Sequence, residues 1–166
     1  MITDFLLDHS ALVPGALALV ALICTLVGYV ALRLDRPGGR LLPALAVVAA
    51  LPVLALTMSP TGRDASTRGC TVQFAWPGAG SVELLANVAL LLPVAVFAGL
   101  ATRRPWAVLV AGVGASAAIE AVQALVPAIG RACDTNDWAM NSLGVLAGVL
   151  AARGLLAITG TPEASR

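Results

Sequence analysis

Long apolar runs separated by short polar turns divide the chain into five segments, at residues 12–32, 41–58, 82–101, 106–126 and 137–158. Each approaches the ~20 apolar residues that a helix needs to cross a ~30 Å hydrocarbon core. The punctuation between them fits helix ends. Ser81 is a candidate N-cap for the third run, and Asn136 or Thr135 for the fifth. Pro43 falls in a first turn, where proline is tolerated. Pro52 and Pro93 fall inside runs and predict kinks. Arg103, Arg104 and Pro105 predict a tight turn. Residues 59–80, rich in Pro, Gly and small polar side chains, predict an irregular loop. Phe74 and Trp76 near its end are placed for the headgroup level. The leader carries Asp4 and Asp8 but no Lys or Arg, so the first run reads as a retained helix rather than a cleaved signal.

Composition turns this pattern into a class. Of 166 residues, 59% are apolar and 11% charged, against roughly 25% charged in soluble domains. Mean hydropathy is +0.92. The fold class is therefore all-α: a five-helix transmembrane bundle, one membrane domain over residues 1–166, with the lipid bilayer as its solvent. A net charge of +1 without a basic run leaves no footprint for nucleic acid. His9 is the single histidine, which leaves little material for a Ser-His-Asp or His-rich metal site. Cys24, Cys70 and Cys133 show no Cys-x-x-Cys spacing, so a zinc or thioredoxin-type site has no support. Cys24 reads as a small buried residue.

Five crossings put the termini on opposite sides. Arg33, Arg36, Arg40, Arg103, Arg104, Arg153 and Arg166 share one side, and Arg63, Arg68 and Arg131 the other, seven against three. The positive-inside bias places the larger group in the cytoplasm, with the N-terminus outside and the C-terminus cytoplasmic. Cys70 and Cys133 then both face outward, where disulfides persist, and a bridge between them is expected.

Polar residues gather in the same outer half: Glu83, Asn87, Glu120, Gln123, Arg131, Asp134, Asp137 and Asn141. Taken singly, several have structural explanations. Asp137 in a first turn offsets the helix dipole by about 0.3–1 kcal/mol. Arg131 can pair with either aspartate to shape the hairpin, Asn141 can bond to a neighbouring helix, and Gly144 and Gly148 permit close approach. Small residues on the fourth run, namely Ala107, Ala111, Gly112, Gly114, Ala115, Ser116 and Ala118, also suit close packing, internally or in a homodimer. Glu120 is different. It stands about six residues, or ~9 Å, inside its helix, where a charge costs about 1–3 kcal/mol. It must be protonated, paired with Arg131, or turned to a wet cavity, and each of these marks a site.

The offsets Glu120, Gln123, Arg131, Asp134, Asp137, Asn141, Gly144 and Gly148 resemble the signature of the VanZ-like membrane protein family. There a Glu-Gln pair near a helix end precedes an Arg-Asp-Asp-Asn-Gly hairpin and helix. Asn87 and Pro93 resemble the family's upstream block, although Leu91 and Ala95 stand where that block has Phe and Gly. The resemblance covers residues 83–148, the third to fifth helices. It implies a multi-pass protein of the bacterial plasma membrane linked to envelope or antibiotic response, since the family takes its name from a protein associated with resistance to the glycopeptide teicoplanin. It implies no particular reaction.

Three functional classes follow from the residues. In a binding module, Arg131 engages the phosphate or carboxylate of an envelope lipid or glycopeptide, with Asn87, Gln123, Asp134, Asp137 and Asn141 around it. The guanidinium fork suits such groups. In an enzyme on a lipid-linked substrate, Glu120 acts as general acid or base, and Asp134 with Asp137 holds a divalent cation. No other cofactor is implied. In a small transporter or assembly partner, the small-residue faces carry the contacts. Metal dependence separates the second class from the first, and oligomeric state isolates the third.

Overall fold

The computed structural model describes residues 10–34, 39–60, 70–76, 78, 81–160 and 164. The leader with Asp4, Asp8 and His9 lies outside the described residues, as do Asp35, Arg36, Pro37, Gly38, Arg63, Arg68 and Arg166. Among the described residues, five helices are long and apolar enough to cross a membrane. They are α1 (Val13–Leu34), α2 (Leu41–Met58), α3 (Val82–Thr102), α4 (Pro105–Leu125) and α5 (Thr135–Ile158). Their 18 to 24 residues correspond to ~27–36 Å of rise. The expected runs thus become helices almost end for end, and α2 and α3 continue through Pro52 and Pro93.

Large apolar residues face outward on α1, α2, α4 and α5. Leu22, Leu26, Val47, Leu51, Val110, Leu125, Leu150 and Ile158 are all exposed, as a bilayer rather than water requires. The hydroxyls of Thr25, Thr57, Thr102, Ser142 and Thr159 each donate to the carbonyl four residues back, at 2.7–2.8 Å. Each of these hydroxyl hydrogens is thereby satisfied within its own helix. Arg33 lies over the Tyr29 ring at 5.3 Å and Arg153 over Trp106 at 4.8 Å, so two cations near one end of the bundle rest on aromatic faces.

The core sits between α3 and α5. Some 44% of each of these spans is buried, against 11% to 17% for the other three. Gly144 and Gly148 make the approach. A Cβ at Gly144 would lie 2.1 Å from the Val88 carbonyl oxygen, and one at Gly148 would lie 2.5 Å from that of Leu92. Val96, Leu100, Ala152 and Leu156 close the seam below, with Cys24 and Ala31 of α1 and Leu42 of α2 packed on it. On α4 the small-residue pattern splits. Gly112 meets Val145 and Ser116 is fully buried, whereas Ala107, Ala111, Gly114, Ala115 and Ala118 are exposed.

Helix ends bear out some expectations and correct others. Pro105 opens α4 after Arg103, which takes the left-handed conformation (φ 54°) that makes the turn tight. Ser81 occupies the N-cap position of α3, but its hydroxyl accepts the Gly78 N–H at 3.1 Å instead of capping the helix. The N-cap of α5 is Asp134, not Thr135 or Asn136. Its extended backbone lets its carboxylate accept the Asn136 N–H at 2.8 Å.

The connection expected to be irregular contains one ordered pairing. Strands β1 (Cys70–Thr71) and β2 (Cys133–Asp134) run parallel, Cys70 opposite Cys133 and Thr71 opposite Asp134. The Cys70–Cys133 disulfide is present, with Cα atoms 4.5 Å apart. Phe74 and Trp76 are exposed and meet edge to face at 6.1 Å.

Candidate functional site

The starts of α3 and α5 and the ends of α2 and α4 share one end of the bundle, and the polar residues lie there. Gly130, with φ 66°, reverses the chain after α4. The next residues return across the bundle end and start α5, which fixes where each polar group falls.

Glu120, on the last turns of α4, is only 6% exposed. Its Oε2 accepts the backbone N–H of Asp134 at 2.8 Å. The carboxylates of Asp134 and Asp137 lie near Glu120, and among the described residues no ion pair joins it to Arg131. Glu120 instead ties the end of α4 to the residue that caps α5. Asp134 is itself fully engaged, one oxygen on the Asn136 N–H and the other accepting from the Gln73 side-chain amide. The Thr135 hydroxyl accepts the Gln73 N–H at 3.0 Å and donates to the Gln73 carbonyl at 2.8 Å. Buried Asn136 accepts the Ala75 N–H at 3.0 Å. Residues 70–75 are thereby strapped over the start of α5 by side chains as well as by the disulfide. By type Thr135 and Asn136 are capping residues, and nothing in the sequence around Gln73 marks its part in the strap.

A second group joins α3 to α5. The Asn87 amide donates to Asp137 Oδ1 at 2.6 Å. Glu83, Asp134 and Arg131 are the charged neighbours of that carboxylate. One turn further along α5, Asn141 is 2% exposed and its Oδ1 has no hydrogen-bond partner among the described residues. Arg131 is half-buried, and its Nε is likewise buried and unpartnered. Gln123 belongs to neither group. Although close to Glu120 around α4, it points to α2, and its amide donates to the Thr57 carbonyl at 3.2 Å.

The polar residues at this end of the bundle do not share one lining. A groove of about 370 Å³ lies on the α4 side, lined by Ala117, Glu120, Ala121 and Ala124 of α4, by Cys70, Cys133, Asp134 and Thr135, and by Trp138. Asn87, Gln123, Arg131, Asp137 and Asn141 do not line it. Asp134 and Asp137, the pair considered for a divalent cation, turn to different partners. Among the described residues no three His, Cys, Asp or Glu side chains converge on a metal position.

Five apolar helices whose last two carry this Glu-Gln to Asn-Gly arrangement agree with a family-level comparison: the VanZ/LLP1 family model matches residues 17–157. The chain belongs to the VanZ/LLP1 family. The match reaches beyond the residues that carried the resemblance and takes in most of α1 and all of α2, so in this VanZ/LLP1 protein the first two helices are part of the family fold. No curated protein and no solved structure matches the chain.

Proposed function

We propose that this VanZ/LLP1 protein lies in the bacterial plasma membrane with its polar end outside. There Arg131 binds the phosphate or carboxylate of an envelope lipid or glycopeptide. The observation that carries the reading is the Arg131 guanidinium, held at the end of the bundle with a buried Nε that has no hydrogen-bond partner among the described residues. An unpaired buried donor costs about 1–3 kcal/mol. An anion received by the guanidinium fork removes that cost and adds a charge-assisted bond. The orientation is supported by Arg33, Arg40, Arg103, Arg104 and Arg153 toward the opposite end, and by a disulfide, which persists in an oxidising compartment. The link to envelope or glycopeptide response rests on the family.

Native mass spectrometry of the protein in phosphatidylcholine nanodiscs, titrated with dioleoyl phosphatidic acid, tests the site. Wild type is expected to bind this lipid over diacylglycerol, with Arg131→Ala weakening it about tenfold and Arg131→Lys falling between. Equal binding by wild type and Arg131→Ala would remove Arg131 from the reading.

A further inference from the structure

The groove on α4 is a different place from the anion site, and its chemistry has the opposite sign. Ala117, Ala121 and Ala124 fall on one face of α4 together with Glu120. Ala117 and Ala121 are exposed, so this smooth strip is open to the membrane. Trp138 stands at its side, 40% exposed, with its indole N–H turned to the Val113 carbonyl at 3.4 Å. At the polar end of the strip stands Glu120, which as a whole residue is 6% exposed. One of its carboxylate oxygens takes the Asp134 N–H, and among the described residues nothing is hydrogen-bonded to the other. Among the described residues the lining is mostly apolar surface, with Glu120, Asp134, Thr135 and Trp138 as its polar members and no basic residue. A volume of about 370 Å³ falls among small-molecule sites, which run about 300–1,000 Å³.

We propose that this groove is a lateral site for a membrane amphiphile with a primary ammonium head, the ammonium received by Glu120 and the chain laid along Ala117, Ala121 and Ala124. Charge complementarity selects the head. A carboxylate oxygen with no hydrogen bond among the described residues, beside a second carboxylate, favours a cation with N–H donors over a neutral alcohol, and repels a phosphate or carboxylate. The Trp138 ring adds a face on which an ammonium can rest. The open alanine strip selects an amphiphile entering from the bilayer over a soluble amine, because the groove continues into the apolar layer. The proposal does not depend on Arg131, which lies outside the lining.

Photo-crosslinking tests it in the whole protein in phosphatidylcholine nanodiscs, with a hexadecylamine that bears a diazirine in mid-chain. Labelling is expected to be saturable, to concentrate on the α4 peptide containing Ala117 to Ala124, and to be competed by hexadecylamine but not by hexadecanol or palmitate. Glu120→Gln is expected to reduce it about tenfold. Ala121→Leu, which fills the strip and leaves the carboxyl in place, is expected to reduce it comparably, with the disulfide and thermal melt retained. Labelling spread evenly over all lipid-facing helices, or hexadecanol competing as well as hexadecylamine, would overturn the proposal. Those outcomes are read on wild type and need no variant to fold. A protein that fails here yet binds phosphatidic acid through Arg131 loses only the groove.

Discussion

Gly144→Ala is expected to be the most damaging single methyl in the protein. The new Cβ would fall 2.1 Å from the carbonyl oxygen of Val88 and 2.9 Å from its carbonyl carbon. Both are backbone atoms of α3, so no rotamer change relieves the overlap and the two central helices must separate. Separation opens the seam that buries Val145, Val149, Leu92 and Val96. Overpacking in a core costs about 1–3 kcal/mol when side chains can adjust. With only backbone to move, about 3 kcal/mol or more is expected. Gly154, on the same helix, has nothing within 4 Å of its Cβ position. Gly154→Ala is therefore expected to be neutral, or stabilising by up to about 1 kcal/mol through helix propensity. Thermal unfolding of the two variants in one detergent checks the contrast. Equal melting temperatures would mean that α3 and α5 do not meet at Gly144.

The second large effect is expected from the disulfide. Replacing both Cys70 and Cys133 by Ala removes a bridge that spans 63 residues. A free loop of that length would give about 4 kcal/mol of loop-closure entropy. Here α3 and α4 lie within the loop and are already held by the bilayer, so about 2 kcal/mol is expected. The loss is local. The strap keeps its bonds from Gln73 and Ala75 to Thr135 and Asn136, but it loses the covalent tie at the base of the groove. Limited proteolysis is expected to cut residues 70–76 in the double variant while the five helices stay intact. A strap as resistant as that of wild type would show that the side-chain bonds suffice without the bridge.

The sequence displayed the helices because a bilayer allows few alternatives. A run of some twenty apolar residues has to satisfy its backbone internally, and the polar turns between runs leave little freedom in where helices end. Glu120 was legible as an anomaly for the same reason, since burying a carboxyl is costly wherever the partner is. Its partner was not legible. Position along the chain points to Arg131, the nearest cation in sequence, whereas the fold satisfies Glu120 with the peptide N–H of Asp134, a donor every residue but proline carries. The cap of α5 failed similarly. Asp134, Thr135 and Asn136 are all capping residues by type, and the choice among them was made by the segment just after strand β1, some 60 residues away, whose Gln73 and Ala75 occupy the side chains of Thr135 and Asn136. That strand is two residues long, too short for any alternation to show. Gly144 and Gly148 announced a close approach by their spacing, but that the approaching backbone belongs to α3 is a fact of packing alone.

The central claim is that the polar end of this VanZ/LLP1 protein is a working site exposed to the envelope. The most direct measurement is glycopeptide and lipoglycopeptide susceptibility of cells carrying wild type, Arg131→Ala or Glu120→Gln at matched membrane levels. Wild type is expected to shift susceptibility and Arg131→Ala is not, with Glu120→Gln impaired as well, because Glu120 holds the turn that follows Arg131. A shift of equal size with Arg131→Ala as with wild type would contradict the claim.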